Sequence, residues 1–270
     1  MKFLLIGDLH GQKPKLKTKD FDAIIAPGDF CSDKIRKYYF QAMKKQQKNP
    51  TKKISLDQFI SKERISKLKK QSLQDGRKIL QYLNSLKVPV YTVPGNWEQD
   101  EKTYKKLIKG LKNIINTHHK IIKAKDLSFI GHGFISGPEF PQEKDQIKQF
   151  PKKELYKVKK EYLLQKKKLT KLFQSTKTPI IFLPHNVPYN TKLDKITDKK
   201  SPRYGHHYGS IIARELIEKY KPLLTVGGHM HEHYGQCKIG KSIIINAGFG
   251  PQRNTLVEIS NSKIKSIKYL

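Results

Sequence analysis

The 270-residue chain reads as a layered α/β sandwich. Short apolar runs at 2–7, 23–27, 88–94 and Ile180–Pro184 have the length and the β-branched or aromatic content of buried strands. Helical patterns separate these runs, and the last third is again rich in strand-like segments. Strands alternating with helices and then a strand-rich end predict packed layers rather than separate domains.

The first run, Phe3-Leu4-Leu5-Ile6, is too short for the apolar stretch of a signal peptide and leads straight into Gly7-Asp8. It reads as a buried first strand. Further strands are expected at 128–131, 223–227, Ser242–Asn246 and 255–259. Over 57–86, apolar residues at Ile60, Ile65, Leu68, Leu73, Ile79, Leu80 and Leu83 mark one helix face. Leu155, Val158, Tyr162, Leu169 and Leu172 mark a second in a lysine background, and Ile211–Tyr220 a third. The chain is expected to form one domain over 1–270, with basic helical insertions at about 34–80 and 140–178. These insertions either pack on the core as solvated helices or cap and charge a substrate cleft.

Lysine and arginine total 55 against 23 aspartate and glutamate, a formal charge of +32. Such an excess attracts polyanions, so a nucleic-acid partner on the basic surface is one reading. The other is lysine spread over every solvent face, which the scarcity of arginine favours. No apolar run approaches the roughly 20 residues of a membrane span. Cys31 and Cys237 lie far apart without metal-type spacing, as in a reduced, cytoplasmic protein.

The chemistry sits at the strand ends. The first strand runs into Asp8-Leu9-His10, the second into Gly28-Asp29, and the third into Gly95-Asn96-Trp97-Glu98. The strand at Ile180–Pro184 meets His185, and that at 223–227 meets Gly228-His229-Met230-His231. Ligands of open α/β sheets bind beyond the carboxyl ends of the strands, so these residues should converge. Asp8 and His10, like His229 and His231, are two apart and can point to one side. A lone D-x-H is a weak signal, whereas five strand ends together are a strong one. Four histidines, two aspartates and an asparagine make a mixed shell suited to Mn, Fe, Zn or Co. Seven donors are too many for one ion and about right for two.

The ordered series D-x-H, G-D, G-N, H, G-H-x-H resembles the calcineurin-like metallophosphoesterase superfamily over residues 8 to 231. The run from His185 to Asp194, with His207-Tyr208-Gly209-Ser210 and Gly228 to Glu232, is similar to the archaeal-type Icc-related predicted phosphoesterases. The resemblance implies an α/β/β/α sandwich and two divalent metal ions. Asp8, His10 and His231 match the ligands of one ion, Asn96, His185 and His229 those of the other, and Asp29 the bridging carboxylate. It implies hydrolysis of a phosphoester by a bridging hydroxide, with Asp29 and Asn96 at the reacting centre.

One departure stands out. Many members carry G-N-H-D/E, whose histidine assists the leaving group, and Trp97 holds that place here. An indole N–H donates a hydrogen bond but delivers no proton at usable pH. That disfavours alkyl phosphomonoesters and leaves diesters, cyclic phosphates or activated leaving groups. Trp97 can instead stack on a base or sugar, or simply fill an apolar wall. His207, matching the family's H-x-G-S position, and its neighbour His206 are the candidate replacement acids. Ser210 either helps the following helix hold phosphate or serves as its N-cap. Glu232 either orients a ligand imidazole or faces solvent. The expectation is a phosphodiesterase for a nucleotide-like phosphoester; a nuclease and a non-catalytic scaffold are the alternatives.

Overall fold

The computed structural model describes every residue except 50, 51, 53, 144–146, 149 and 202. Parts of both expected insertions, 34–80 and 140–178, thus lie outside the described residues.

The chain builds two six-stranded sheets face to face. In the first, β1 (Lys2–Leu5), β2 (Ala23–Ala26), β3 (Val90–Thr92) and β4 (Ile114–Asn116) run parallel, with β11 (Thr255–Ser260) and β12 (Lys263–Tyr269) antiparallel at one edge. In the second, β6 (Leu127–His132), β7 (Ile180–Pro184), β8 (Leu224–Gly227) and β10 (Ser242–Asn246) are parallel, flanked by antiparallel β5 (Ile121–Ala124) and β9 (Gly235–Ile239). Side-chain alternation explains the layers. Phe3 and Leu5 point into the space between the sheets, where they meet Phe129, Leu183 and Val226. Leu4 and Ile24 face outward onto helices α2 (Lys62–Ser85) and α3 (Glu101–Ile108), through Leu80, Leu83 and Tyr104. On the opposite outer face, Ile130 and Phe182 receive Leu169 and Phe173 of α4 (Lys152–Gln174) and Leu216 of α5 (Ile211–Tyr220). The result is the α/β/β/α sandwich, with its parallel strands buried on both sides.

The helix expected over 57–86 begins only at Lys62. Ser61 stops it there as an N-cap, accepting the N–H of Arg64 at 3.2 Å, and Leu56–Gln58 forms a separate 3₁₀ turn. Helix α1 (Arg36–Lys48) lies within the helical insertion expected at about 34–80 and buries none of its residues, so it lacks a core-facing stripe. Strands β4, β5, β9 and β12 escaped the sequence reading. Strand β12 carries Lys263, Lys265 and Lys268, as suits a protected sheet edge, and turns from β11 through Asn261 and Ser262, both at positive φ. Among the described residues no helix is long and apolar enough to cross a membrane.

Candidate metal centre

The parallel strands of both sheets end at one rim, and the loops beyond them bring the seven sequence-predicted donors together. Asp8, His10 and His231 form one group and Asp29, His185 and His229 another, the donor atoms within each lying within 4.8 Å of one another. In the first group, His231 Nε2 is 3.0 Å from Asp8 Oδ2 and 3.1 Å from His10 Nε2. In the second, Asn96 Oδ1 is 3.0 Å from His185 Nε2 and 2.9 Å from His229 Nδ1. Asp29 lies between them: its Oδ2 is 3.4 Å from His185 Nε2 and 3.9 Å from His10 Nε2.

Local backbone explains how such short loops hold this geometry. His10, Asp29 and His229 adopt φ of 44, 55 and 65°, a left-handed conformation that costs a non-glycine residue energy. A Cβ at Gly95 would collide with Asp29 Oδ1, so only glycine lets this loop close on the carboxylate. Glu98 ties the loops from beneath. Its buried carboxylate accepts the N–H groups of Asp29 (3.0 Å), Gly95 (2.5 Å) and Cys31 (2.9 Å). His185 Nδ1 donates to Pro27 O at 2.7 Å, which turns Nε2 toward Asn96 and Asp29.

The electrostatics suit a cation. Burial disfavours charge on His185, but the adjoining Asp29 and Asp8 outweigh it and push its pKa up to about 9. Burial also opposes ionisation of Asp29, yet the surrounding imidazoles hold its carboxyl below the usual range. Burial and the charge of His185 bring His229 down to about 4. Asp8 Oδ1 and His10 Nδ1 are buried without a hydrogen-bond partner. Orphaned polar atoms are costly unless a ligand satisfies them. Carboxylate, imidazole and amide donors in two groups around one carboxylate therefore fit two divalent ions.

A cleft of about 670 Å³ opens over the donors. Arg36, Tyr39, Phe40 and Met43 of α1 line it at helical spacing, so part of the 34–80 insertion shapes the cleft. Trp97 also lines it, with ring centroids 6.5 Å from His10 and 6.2 Å from Tyr39. Ser136, Arg203 and Tyr208 contribute from other loops.

His206, His207 and Ser210 are not brought to this cleft. His206 is exposed and 2.5 Å from Glu143. His207 Nδ1 donates to buried Asp194 at 2.7 Å. Ser210 is the N-cap of α5, accepting the Ala213 N–H at 3.0 Å, while the Glu139 carboxylate takes its hydroxyl and the Ile211 N–H. Glu139 thus fills the helix terminus that a phosphate would need. Glu232 accepts from the amides of Thr197 (2.6 Å) and Asp198 (3.1 Å), rather than from a ligand imidazole. Sequence reasoning missed the cleft residues of α1, although their i, i+3, i+4, i+7 spacing was a readable signal. Arg203 and Tyr208 carried no comparable signal.

The sequence model of the metallophosphoesterase, calcineurin superfamily matches residues 6–269, and the chain belongs to that superfamily of hydrolases. One solved structure superposes with a TM-score of 0.65 at 15% identity, covering 99% of this chain and 98% of its own. The protein TT1561 of Thermus thermophilus superposes at 0.59 with 15% identity, covering 99% and 97%. At this identity both likenesses speak to the fold alone. No curated protein matches the chain.

Proposed function

We propose that the chain is a phosphodiesterase, in which Asp8, His10 and His231 hold one divalent cation, Asn96, His185 and His229 a second, and Asp29 contacts both. The observation that carries this reading is the pair of donor groups around Asp29, opening onto a cleft with an aromatic wall. Such ions, when bound, polarise phosphoryl oxygens and lower the pKa of water.

The remaining work falls to the chain. His185, oriented by Pro27 O, and Asn96, carried on the loop that Glu98 pins, fix where the phosphoryl group docks. The low proton affinity of His229 keeps its imidazole neutral and available as a donor. Trp97 and Tyr39, whose rings meet edge to face at 68°, offer an aromatic wall to one ester substituent. Among the described residues, no histidine outside the two donor groups lines the cleft. The leaving group must therefore depart without an imidazolium proton, which favours diesters with stable leaving groups over alkyl monoesters.

A paired assay in Mn²⁺ tests this, with bis(4-nitrophenyl) phosphate against 4-nitrophenyl phosphate. The diester should be the better substrate. His185→Ala should lower its hydrolysis at least about 100-fold, since even the partners that orient a ligand contribute roughly 10–100-fold. Full activity in the variant, or a preference for the monoester, contradicts the proposal.

A further inference from the structure

Arg203 is a cation of the cleft wall. Its guanidinium lies over the Tyr208 ring at 4.0 Å, and both side chains line the cleft. Tyr208 cannot recede, because it rests on Gly137, where even a Cβ would come within 2.5 Å of the ring. Its backbone is held too, the N–H donating to Asp194 O and the C=O accepting from Asn186 Nδ2, each at 2.9 Å. A guanidinium resting on an aromatic face keeps its planar fork of N–H donors, which matches phosphate oxygens.

None of those N–H groups has a partner among the described residues. No carboxylate pairs with the guanidinium and no carbonyl accepts from it. The contrast with Arg36 is direct: Arg36 is 3.5 Å from Asp33, and its charge weighs on His231. Burial alone pulls the pKa of Arg203 down, with no charged neighbour contributing. Arg203 is therefore partly buried without a compensating ion pair. A partly buried cation lacking a counter-ion is costly in the free protein, and an anionic ligand removes that cost.

We propose that Arg203, resting on Tyr208, binds a second phosphate of the substrate, one that is not the phosphate being cleaved. The inference rests on the phosphodiesterase reading for the position of the scissile phosphate at the donor groups. It narrows the substrate class to nucleotide-like phosphoesters bearing two phosphates. One phosphate would lie at the donor groups, the second at Arg203, and an aromatic group against Trp97 and Tyr39. The cleft volume of about 670 Å³ suits such a molecule better than a lone phosphate.

Calorimetric titration with ADP and with AMP, at saturating Mn²⁺, tests the assignment without relying on turnover. The wild-type protein should bind ADP at least about tenfold more tightly than AMP, the effect of one charge-assisted bidentate contact. Arg203→Gln should remove most of that difference while changing AMP affinity less than threefold. Arg203→Lys keeps the charge without the planar fork and should fall between them; thermal unfolding of each variant checks that it is folded. Equal losses for ADP and AMP would place Arg203 on the cleaved phosphate, and no loss for either would leave it without a ligand; both results overturn the proposal. If ADP affinity depends on Arg203 while no phosphodiester is hydrolysed with any metal, the function reading fails and the anion site stands. If diesters are hydrolysed while ADP binding ignores Arg203, the reverse holds.

Discussion

Replacing Glu98 by Gln should loosen the candidate centre without touching any of its seven donors. The carboxylate holds three backbone N–H groups, Asp29 and Gly95 on Oε2 and Cys31 on Oε1. A glutamine keeps one oxygen, so at best it retains the Asp29 and Gly95 bonds and turns its NH₂ toward the Cys31 N–H. The lost charge-assisted bond is worth about 1.5–3 kcal/mol, and the buried N–H left unpaired costs about 1–3 kcal/mol. The two retained bonds also weaken on losing the charge. Against this, burial and then the charge of Asp29 push the Glu98 carboxyl up to about 7, so a neutral side chain recovers part of the loss. A net destabilisation of about 2 kcal/mol follows, or roughly 4–8 °C in Tm for a chain of this size. Because Asp29 and Asn96 both ride on the loosened loops, Mn²⁺ affinity should fall about 10–100-fold. Thermal unfolding of the metal-free protein and calorimetric Mn²⁺ titration read the two effects separately. A Glu98→Gln protein with wild-type Tm and wild-type Mn²⁺ affinity would refute the role assigned to this carboxylate.

His118, His119 and His132 cluster outside the cleft, with His119 Nε2 3.2 Å from His132 Nδ1. Burial, then the charge of neighbouring histidines, lowers His118 to about 3 and His119 to about 2. A depressed folded pKa contributes stability above the unfolded value near 6.5, and that stability is lost as pH falls from there toward 3. Between pH 7.5 and 5.5 each should therefore cost about 1 kcal/mol, so His119→Gln in metal-free protein should flatten the Tm–pH slope by about half of the pair's effect; an unchanged slope contradicts the assignment. Trp97→Ala should raise KM for an aryl diester about fivefold or more through the loss of about 1–3 kcal/mol of stacking, with kcat less affected, and steady-state kinetics checks the split. Ser210→Ala should cost about 1 kcal/mol of stability as a lost N-cap while leaving diester hydrolysis within twofold; a large kinetic defect would return Ser210 to the substrate site.

Much of the centre was legible because each donor follows a buried strand, and a strand's end fixes where the next residue lies. The Ile180–Pro184 run and His185 after it needed only pattern and neighbour to be read. Roles that depend on contacts between distant loops were not legible. His207 was read beside the centre from its motif, but its imidazole pairs with buried Asp194, thirteen residues earlier, and does not line the cleft. Ser210 is the N-cap that its sequence position offered, but the phosphate role offered beside it meets a helix terminus already taken by Glu139, 71 positions away, which no local pattern reveals. Helix α1 falls in the helical insertion expected at 34–80, but the role of Arg36, Tyr39, Phe40 and Met43 was not assigned because that face looks into the cleft rather than the core.

Seven donors on two sheets are proposed to hold two cations around Asp29. Elemental analysis of protein dialysed against Mn²⁺ tests this most directly. Two Mn²⁺ per chain are expected in the wild type and one in His185→Ala, which leaves the group of Asp8, His10 and His231 in place. Two ions in both proteins, or none in the wild type, would contradict it.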